Sequence, residues 1–244
     1  MELAILGSGS AFSDTGHQAG YLIDRRLLLD CGAPAPLLLS RMGVDLAEVE
    51  TVVISHLHGD HVGQLPMLLV ARAVTRPDAS PLLVLGPRDL ADHLRRLGEL
   101  SLGAHFWSSF CEQHPPVLRE VEAGTAEELG THTIEFFEVE HVPQLHCLAM
   151  RVATPEVSLG YSGDTTLCPG LRRLAGSVDH LLCECTGWSK PAPIHLWKEE
   201  VEQLMREFPQ TSFLLTHLGE RRPVPGALLM FDGLRLRLTR PPAD

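Results

Sequence analysis

The sequence lacks the features that mark several protein classes. No apolar run approaches the roughly 18 residues of a membrane-spanning helix, and the mean hydropathy is near zero, at +0.06. Met1 to Phe12 contains no basic stretch followed by a long apolar one, the pattern of a secretory signal. A soluble, cytoplasmic protein without a membrane partner is therefore the expectation. The 6 cysteines (Cys31, Cys111, Cys147, Cys168, Cys183 and Cys185) are scattered and show no C-x-x-C pair, which argues against a disulfide framework and for reduced thiols. Positive charge is also scarce: 20 Lys and Arg against 31 Asp and Glu give a formal net charge of -11. Such a chain does not grip nucleic acid over its whole surface, because phosphate binding needs a basic face. There is no low-complexity segment, short-period repeat or evident linker.

What is present is enough for a real core. With 244 residues and 44% hydrophobic composition, residues 1–244 are expected to form a single domain that needs no metal merely to stay folded. Short apolar strands alternate with helical stretches, an α/β pattern. "LAILGSG", "AGYLID", "RLLLDCG", "TVVISH" and "PLLVLGP" have strand character; "APLLLSRMGVD", "QLPMLLVARAV" and "RDLADHLRRLGEL" have helical character. The second half repeats the theme, with strands in "HTIEFFEVEH", "LAMRVAT", "VSLGYSGD", "HLLCEC" and "SFLLTH" and an amphipathic helix in "LWKEEVEQLMREF".

Ionisable residues stand where these strands end: His56, His141, Asp164, Glu184 and His217. Strands that share a direction present their ends on one edge of a sheet, so groups far apart in sequence can converge there. The stretch "SHLHGDHVGQL" is the densest case. His56 and His58, two apart in an extended segment, face one side; Asp60 and His61 follow Gly59, where the chain can turn into a helix and send them another way. Two ligand pairs facing different directions suit two metals held side by side. Left without a metal, four half-buried polar groups would need an implausible number of hydrogen-bond partners. Imidazoles and carboxylates without thiolates favour zinc, with Mn or Fe as further candidates. Paired cations stabilise an in-line displacement at phosphorus, and Asp164 in "YSGDT" is the candidate bridge.

The motifs "LGSGSAF", "LLLDCG", "SHLHGDHVGQLP", "EVEHV", "YSGDT", "CECTG" and "LLTHLG" together resemble the metallo-β-lactamase superfamily over almost the whole chain. The resemblance implies a four-layer αββα sandwich with two zinc ions at one edge of the sheets. It assigns the first ion to His56, His58 and a third-motif histidine, the second to Asp60, His61 and His217, and the bridge to Asp164. His141, at the end of "TIEFFEVE", is the choice for the third motif, with His146 as its competitor. Within the superfamily the likeness is closest to ribonuclease Z and related phosphodiesterases. There His195, in "PIHLWKEEVEQL", matches a histidine that assists the leaving group or contacts the phosphate, supported by a glutamate matching Glu184.

Two departures turn the expected substrate from tRNA toward a small phosphodiester, and RNA is not the favoured partner. Ribonuclease Z usually carries a long Gly/Pro-rich tRNA-gripping arm between its third histidine motif and its Gly-Asp motif, whereas only Cys147 to Ser162 separates them here. Its "HFSSRY"-like ending is replaced by "THLGERRP". The expected catalytic residues are Asp60, orienting or deprotonating the nucleophile, His195, donating a proton to the departing oxygen, and Glu184, fixing the His195 tautomer. One rival is another hydrolase on the same metals, acting on a lactone, thioester, sulfate ester or β-lactam; the fold does not discriminate among them. The other is a catalytically silent metal-binding regulatory protein. Relatives are often dimers, so a homodimer is compatible with the likeness. Arg221 or Arg222 is a candidate phosphate contact against ordinary surface solvation. His17 is expected in a turn, Phe106 and Trp107 as a substrate wall or as packing, and Trp188 and Trp197 as a lid beside His195.

Overall fold

Alternate residues along the strands enter different cores, and this builds the layers. The computed structural model describes residues 1–189 and 193–241. In β1 (Glu2–Gly7), Leu3 and Ile5 point to one core while Ala4 and Leu6 point to another. With β2 (Gly20–Ile23), β3 (Leu27–Leu29), β4 (Thr51–Val53), β5 (Leu83–Gly86) and β6 (Val117–Glu120), β1 belongs to a seven-stranded sheet. The second sheet, also of seven strands, contains β7 (Ala126–Leu129), β8 (His132–Val139), β9 (Cys147–Ala153), β10 (Ser158–Tyr161), β11 (His180–Glu184), β12 (Ser212–Thr216) and β13 (Ala227–Leu229). Finally β14 (Arg235–Arg237) returns to the first sheet and pairs antiparallel with β1.

The inner faces of the two sheets meet in one apolar layer that includes Ile5, Tyr21, Phe136, Met150 and Leu182. The outer face of the first sheet is covered by α1 (Ala35–Arg41), α3 (Leu65–Thr75), α4 (Leu90–Leu102) and α5 (Ala104–Gln113), with the short α2 (Gly59–Val62) lying between α1 and α3 in the chain. The outer face of the second is covered by α6 (Pro169–Ala175) and α7 (Lys198–Glu207). This is the expected four-layer αββα sandwich. Strands buried on both faces read as near-continuous apolar runs, which explains "LAILG" and "HLLCE". Cys183, in β11, and Cys185, just after it, are buried thiols in the outer core, and burial pushes both above the ordinary thiol range.

The strands β3, β4, β5 and β6 run parallel, as do β10, β11, β12 and β13. Their C-terminal ends therefore open on shared edges. The two edges are tied together where the Leu148 N–H donates to the Ser55 carbonyl at 2.9 Å. Between β9 and β10 the chain makes only a tight turn closed by Thr154 N–H donating to Val157 O at 3.0 Å.

Several aromatic expectations resolve here. "GAHFWSSF" forms α5, in which Trp107 is 3% exposed and stacks on Phe110 at 5.5 Å, so it is a packing residue. Trp188 is buried in the outer core and donates Nε1–H to the Cys185 carbonyl, so it is a packing residue and forms no lid; Trp197, half-buried, is the residue preceding α7. No helix among the described residues is long and apolar enough to cross a membrane.

Candidate metal centre

The loop after β4 is held in place by the "DCG" segment that follows β3. Cys31 N–H donates to His61 O at 2.6 Å, Gln64 N–H donates to Cys31 O at 2.9 Å, and Ala19 N–H donates to Asp60 O at 3.2 Å. A Cβ on Gly32 would lie 1.7 Å from the Asp60 carbonyl oxygen, so this close approach requires glycine. On the second sheet Gly163, at φ +56, turns the chain beside Ser55 and delivers Asp164. Asp30 and His217 are non-glycine residues in the left-handed region, at φ +56 and +48. Such strain is tolerated where the surroundings over-determine it, and both stand at strand ends facing this cluster.

His56, His58, His141 and Asp164 bring their ligand atoms together, and so do Asp60, His61, Asp164 and His217. In the first group Nδ1 of His58 lies 3.1 Å from Nε2 of both His56 and His141. In the second, Asp60 Oδ2 lies 3.4 Å from His61 Nε2 and 3.3 Å from His217 Nε2. Asp164 reaches both groups, with Oδ1 3.3 Å from His61 Nε2 and Oδ2 3.8 Å from His56 Nε2. His146 lies elsewhere, 3.5 Å from Glu122.

Hydrogen bonds behind the rings determine which nitrogen faces the cluster. His61 Nδ1–H donates to Asp30 at 2.7 Å, and His141 Nδ1–H donates to the Ile194 carbonyl at 2.6 Å. The Ser55 hydroxyl donates to Asp30 at 2.7 Å, so His56 Nδ1–H can donate to Ser55 at 3.1 Å. The Thr186 hydroxyl likewise donates to Glu184 and accepts from His217 Nδ1–H, both at 2.8 Å. Each of these four rings thus turns Nε2 to the interior of the cluster. Asp30, which also accepts from the Tyr161 hydroxyl at 2.6 Å, is the functional residue that sequence reasoning missed. Its signal was present, a fully buried-looking aspartate closing the apolar run "LLLD" without a local partner.

Burial, reinforced by the neighbouring imidazoles, holds His56 well below the ordinary histidine value, and burial also lowers His58 and His141. Lowering of this kind favours the neutral imidazole that a metal ligand requires. Burial opposes charge on His61 as well, but the Asp164 and Asp30 carboxylates outweigh it and raise that ring well above its usual value. Asp60 and Asp164 are held below the carboxylate range by the surrounding imidazoles despite their burial.

The fit to a metal rests on two orphaned atoms. Among the described residues, His61 Nε2 and Asp164 Oδ1 are buried without a hydrogen-bond partner, although they face the cluster 3.3 Å apart. Buried polar atoms are otherwise paired almost without exception. A cation between these residues would satisfy both, and the N/O donor set suits a divalent transition metal.

Beside the cluster, His195 Nδ1–H donates to Glu184 Oε1 at 3.0 Å, and Glu184 also accepts from the Thr165 N–H at 2.7 Å. Burial works against charge on His195, but Glu184 and then Asp164 lift it to about 9. His195, His58, Asp60, His141 and Asp164 line one cleft. Arg221 is turned away from it, donating to the Met230 and Thr15 carbonyls, and Arg222 pairs with Glu220 on the surface. The Arg221 guanidinium is filled by these carbonyls, and Arg222 has the exposed, paired position of an ordinary surface residue. The His17 side chain is exposed on its turn, as expected.

Comparison with known proteins gives a consistent result. Residues 1–224 match the family described as anti-Pycsar protein Apyc1. Ribonuclease Z of Mycobacterium bovis (strain BCG / Pasteur 1173P2) is 28% identical over 195 residues, covering 75% of this chain and 69% of that protein. The metallo-β-lactamase fold protein YhfI from Bacillus subtilis superposes with a TM-score of 0.77 at 19% identity, covering 96% of this chain and 98% of that one. Human tRNase Z, short form, gives a TM-score of 0.75 at 19% identity, covering 97% and 99%. The fold is that of the metallo-β-lactamases.

Proposed function

The chain belongs to the anti-Pycsar protein Apyc1 family, and from that membership and the convergent imidazoles and carboxylates we propose that it is a metal-dependent phosphodiesterase acting on a small substrate. The observation that carries this reading is the pair of orphaned atoms, His61 Nε2 and Asp164 Oδ1, at the meeting edge of the two sheets. His56, His58 and His141 would hold one zinc ion and Asp60, His61 and His217 a second, with Asp164 between them. When bound, such a pair neutralises charge developing on a phosphoryl group and makes a water acidic enough to react at neutral pH.

The chain's own residues do the rest. Asp60 lines the cleft, and its carboxylate accepts a hydrogen bond from the attacking water, orienting it toward phosphorus. His195 donates a proton from Nε2 to the departing oxygen, because its Nδ1–H is committed to Glu184. Glu184 therefore fixes both the tautomer and the ring plane of His195. A leaving-group acid is most useful for an alkoxide departing from phosphorus, which favours phosphodiesters over lactones, thioesters and lactams. The tight turn between β9 and β10 occupies the stretch in which a tRNA-gripping arm would stand, and the acidic surface does not replace one. These features support a compact substrate.

The test is hydrolysis of bis(p-nitrophenyl) phosphate, with metal content determined on the same sample and nitrocefin, a lactone, a thioester and RNA assayed alongside. Metal-dependent phosphodiester turnover that Asp164→Ala abolishes is expected, with a smaller loss in His195→Ala, because p-nitrophenolate departs with little need of a proton. Two bound metals with activity only toward esters or lactams would overturn the reading.

A further inference from the structure

Phe12 is fully exposed, although it stands on a loop that is anything but loose. Within residues 8–18, Gly9 N–H donates to His17 O at 2.9 Å, and Ser10 N–H and the Thr15 hydroxyl both donate to Leu218 O, at 3.2 and 2.7 Å. Asp232 accepts from the Ser8 hydroxyl at 2.9 Å and from His17 N–H at 2.7 Å, while Arg221 donates to Thr15 O at 2.7 Å. The loop is thus bound to the segment after β12 and to the turn before β14. Scattered exposed apolar residues are normal on a protein surface. A phenyl ring on a loop anchored on both sides of it, beside a cluster of candidate metal ligands, is a different case, because its backbone is held near that cluster.

Phe12 lines the same cleft as Asp60, Asp164 and His195, together with Gln18 and the exposed Ile194. The cleft lining therefore combines candidate metal ligands with two exposed apolar side chains. An aromatic face held in water next to candidate metal ligands is suited to stack on a planar ring carried by the substrate, an interaction tolerant of ring identity since every base has a π-face. We infer that Phe12 is a specificity-determining residue, a stacking platform for a nucleobase attached to the phosphate that the metal centre engages. This rests on the phosphodiesterase reading for where the phosphate lies, and it adds the side chain that distinguishes a nucleotide from a bare sugar phosphate.

The test compares two ligands that differ only by the base, adenosine 5′-monophosphate and ribose 5-phosphate, by calorimetry on the metal-loaded protein. Wild type is expected to bind the nucleotide about tenfold more tightly. Phe12→Ala should erase that difference by weakening the nucleotide alone, and Phe12→Trp should restore it; Phe12 contributes nothing to the core, so both variants fold. Equal affinity of wild type for the two ligands, or a preference that survives Phe12→Ala, overturns the inference. So does a change confined to oligomeric state in sedimentation, which would make Phe12 a contact between copies. Turnover of bis(p-nitrophenyl) phosphate on the same samples separates the two failures. Turnover without a base preference removes the role of Phe12, whereas a Phe12-dependent preference without turnover removes the phosphodiesterase reading.

Discussion

Opposite edges of the sandwich carry two pairs of the same kind. At one edge His61 donates to Asp30 at 2.7 Å; at the other His132 lies 2.8 Å from Asp24. Both aspartates flank β3, and both have positive φ, +56 for Asp30 and +46 for Asp24. By residue type and distance they are equivalent, yet only one belongs to a candidate active site. The difference is what remains after the pair forms. The ring of His61 still presents a buried, unpartnered Nε2 to Asp164, and five further ligand residues converge on the same point. Among the described residues, nothing comparable gathers around the pair at the other edge. A buried His–Asp pair is therefore structural until a second, unsatisfied atom shows otherwise.

The strongest way to break this comparison is to remove the convergent carboxylate. Asp164→Ala should eliminate bound metal and reduce kcat/KM on bis(p-nitrophenyl) phosphate beyond the about 10²–10³-fold cost of losing one preorganised electrostatic contact. His132→Ala should leave metal content and kcat/KM unchanged. Equal losses in the two variants would show that the two edges do not differ.

Chelation should sharpen the contrast. Metal at 100 times its dissociation constant adds about 2.7 kcal/mol to the folded state, so a chelator should lower the wild-type Tm while leaving that of Asp164→Ala in place. An unchanged wild-type Tm would mean that the cluster holds no ion in the folded state.

A subtler variant tests the support behind the ligands. Asn tolerates the positive φ of Asp30, so Asp30→Asn keeps the backbone and loses the charge that orients His61. Metal affinity should fall by about 10–100-fold in a competition titration. Full affinity would mean that the packing around His61 suffices to orient it.

The smallest effect belongs to the opposite edge. Burial works against ionisation of Asp24, but hydrogen bonds from the His132 ring and the Glu2 N–H outweigh it and hold the carboxyl below its usual value. A carboxyl depressed in the folded state contributes stability that is complete above its unfolded value and is lost as pH falls through the folded one. Asp24→Asn should accordingly flatten the acid limb of the stability curve and cost under about 1 kcal/mol near neutrality, with no change in metal binding. A neutral-pH loss as large as that of Asp164→Ala would contradict this.

Much of the site was legible in the chain because metal ligation needs particular atoms at particular spacings. "HLHGDH" places His56 and His58 on one side and begins a helix at Gly59 that carries Asp60 and His61, as α2 does. Asp164 and His217 were legible as polar residues ending apolar strands. Asp30 was not assigned a role, since its partners Ser55, His61 and Tyr161 are up to 131 residues away. The contrast between Arg221 and a phosphate ligand was equally hidden, because carbonyls from two loops fill the guanidinium. Trp107 and Phe106, adjacent in sequence, diverge to buried and exposed because a helix turns them to different faces.

By itself the sequence determined the α/β layering, through short continuous apolar strands and helices of longer period, and the candidate ligand types, through the chemistry of imidazole and carboxylate. The tertiary structure alone decided which strand ends meet, which ring nitrogen each histidine presents, and that Phe12 overlooks the same cleft. Those are relations between segments distant in the chain, fixed by parallel strand pairing and long-range hydrogen bonds, and no local pattern encodes them.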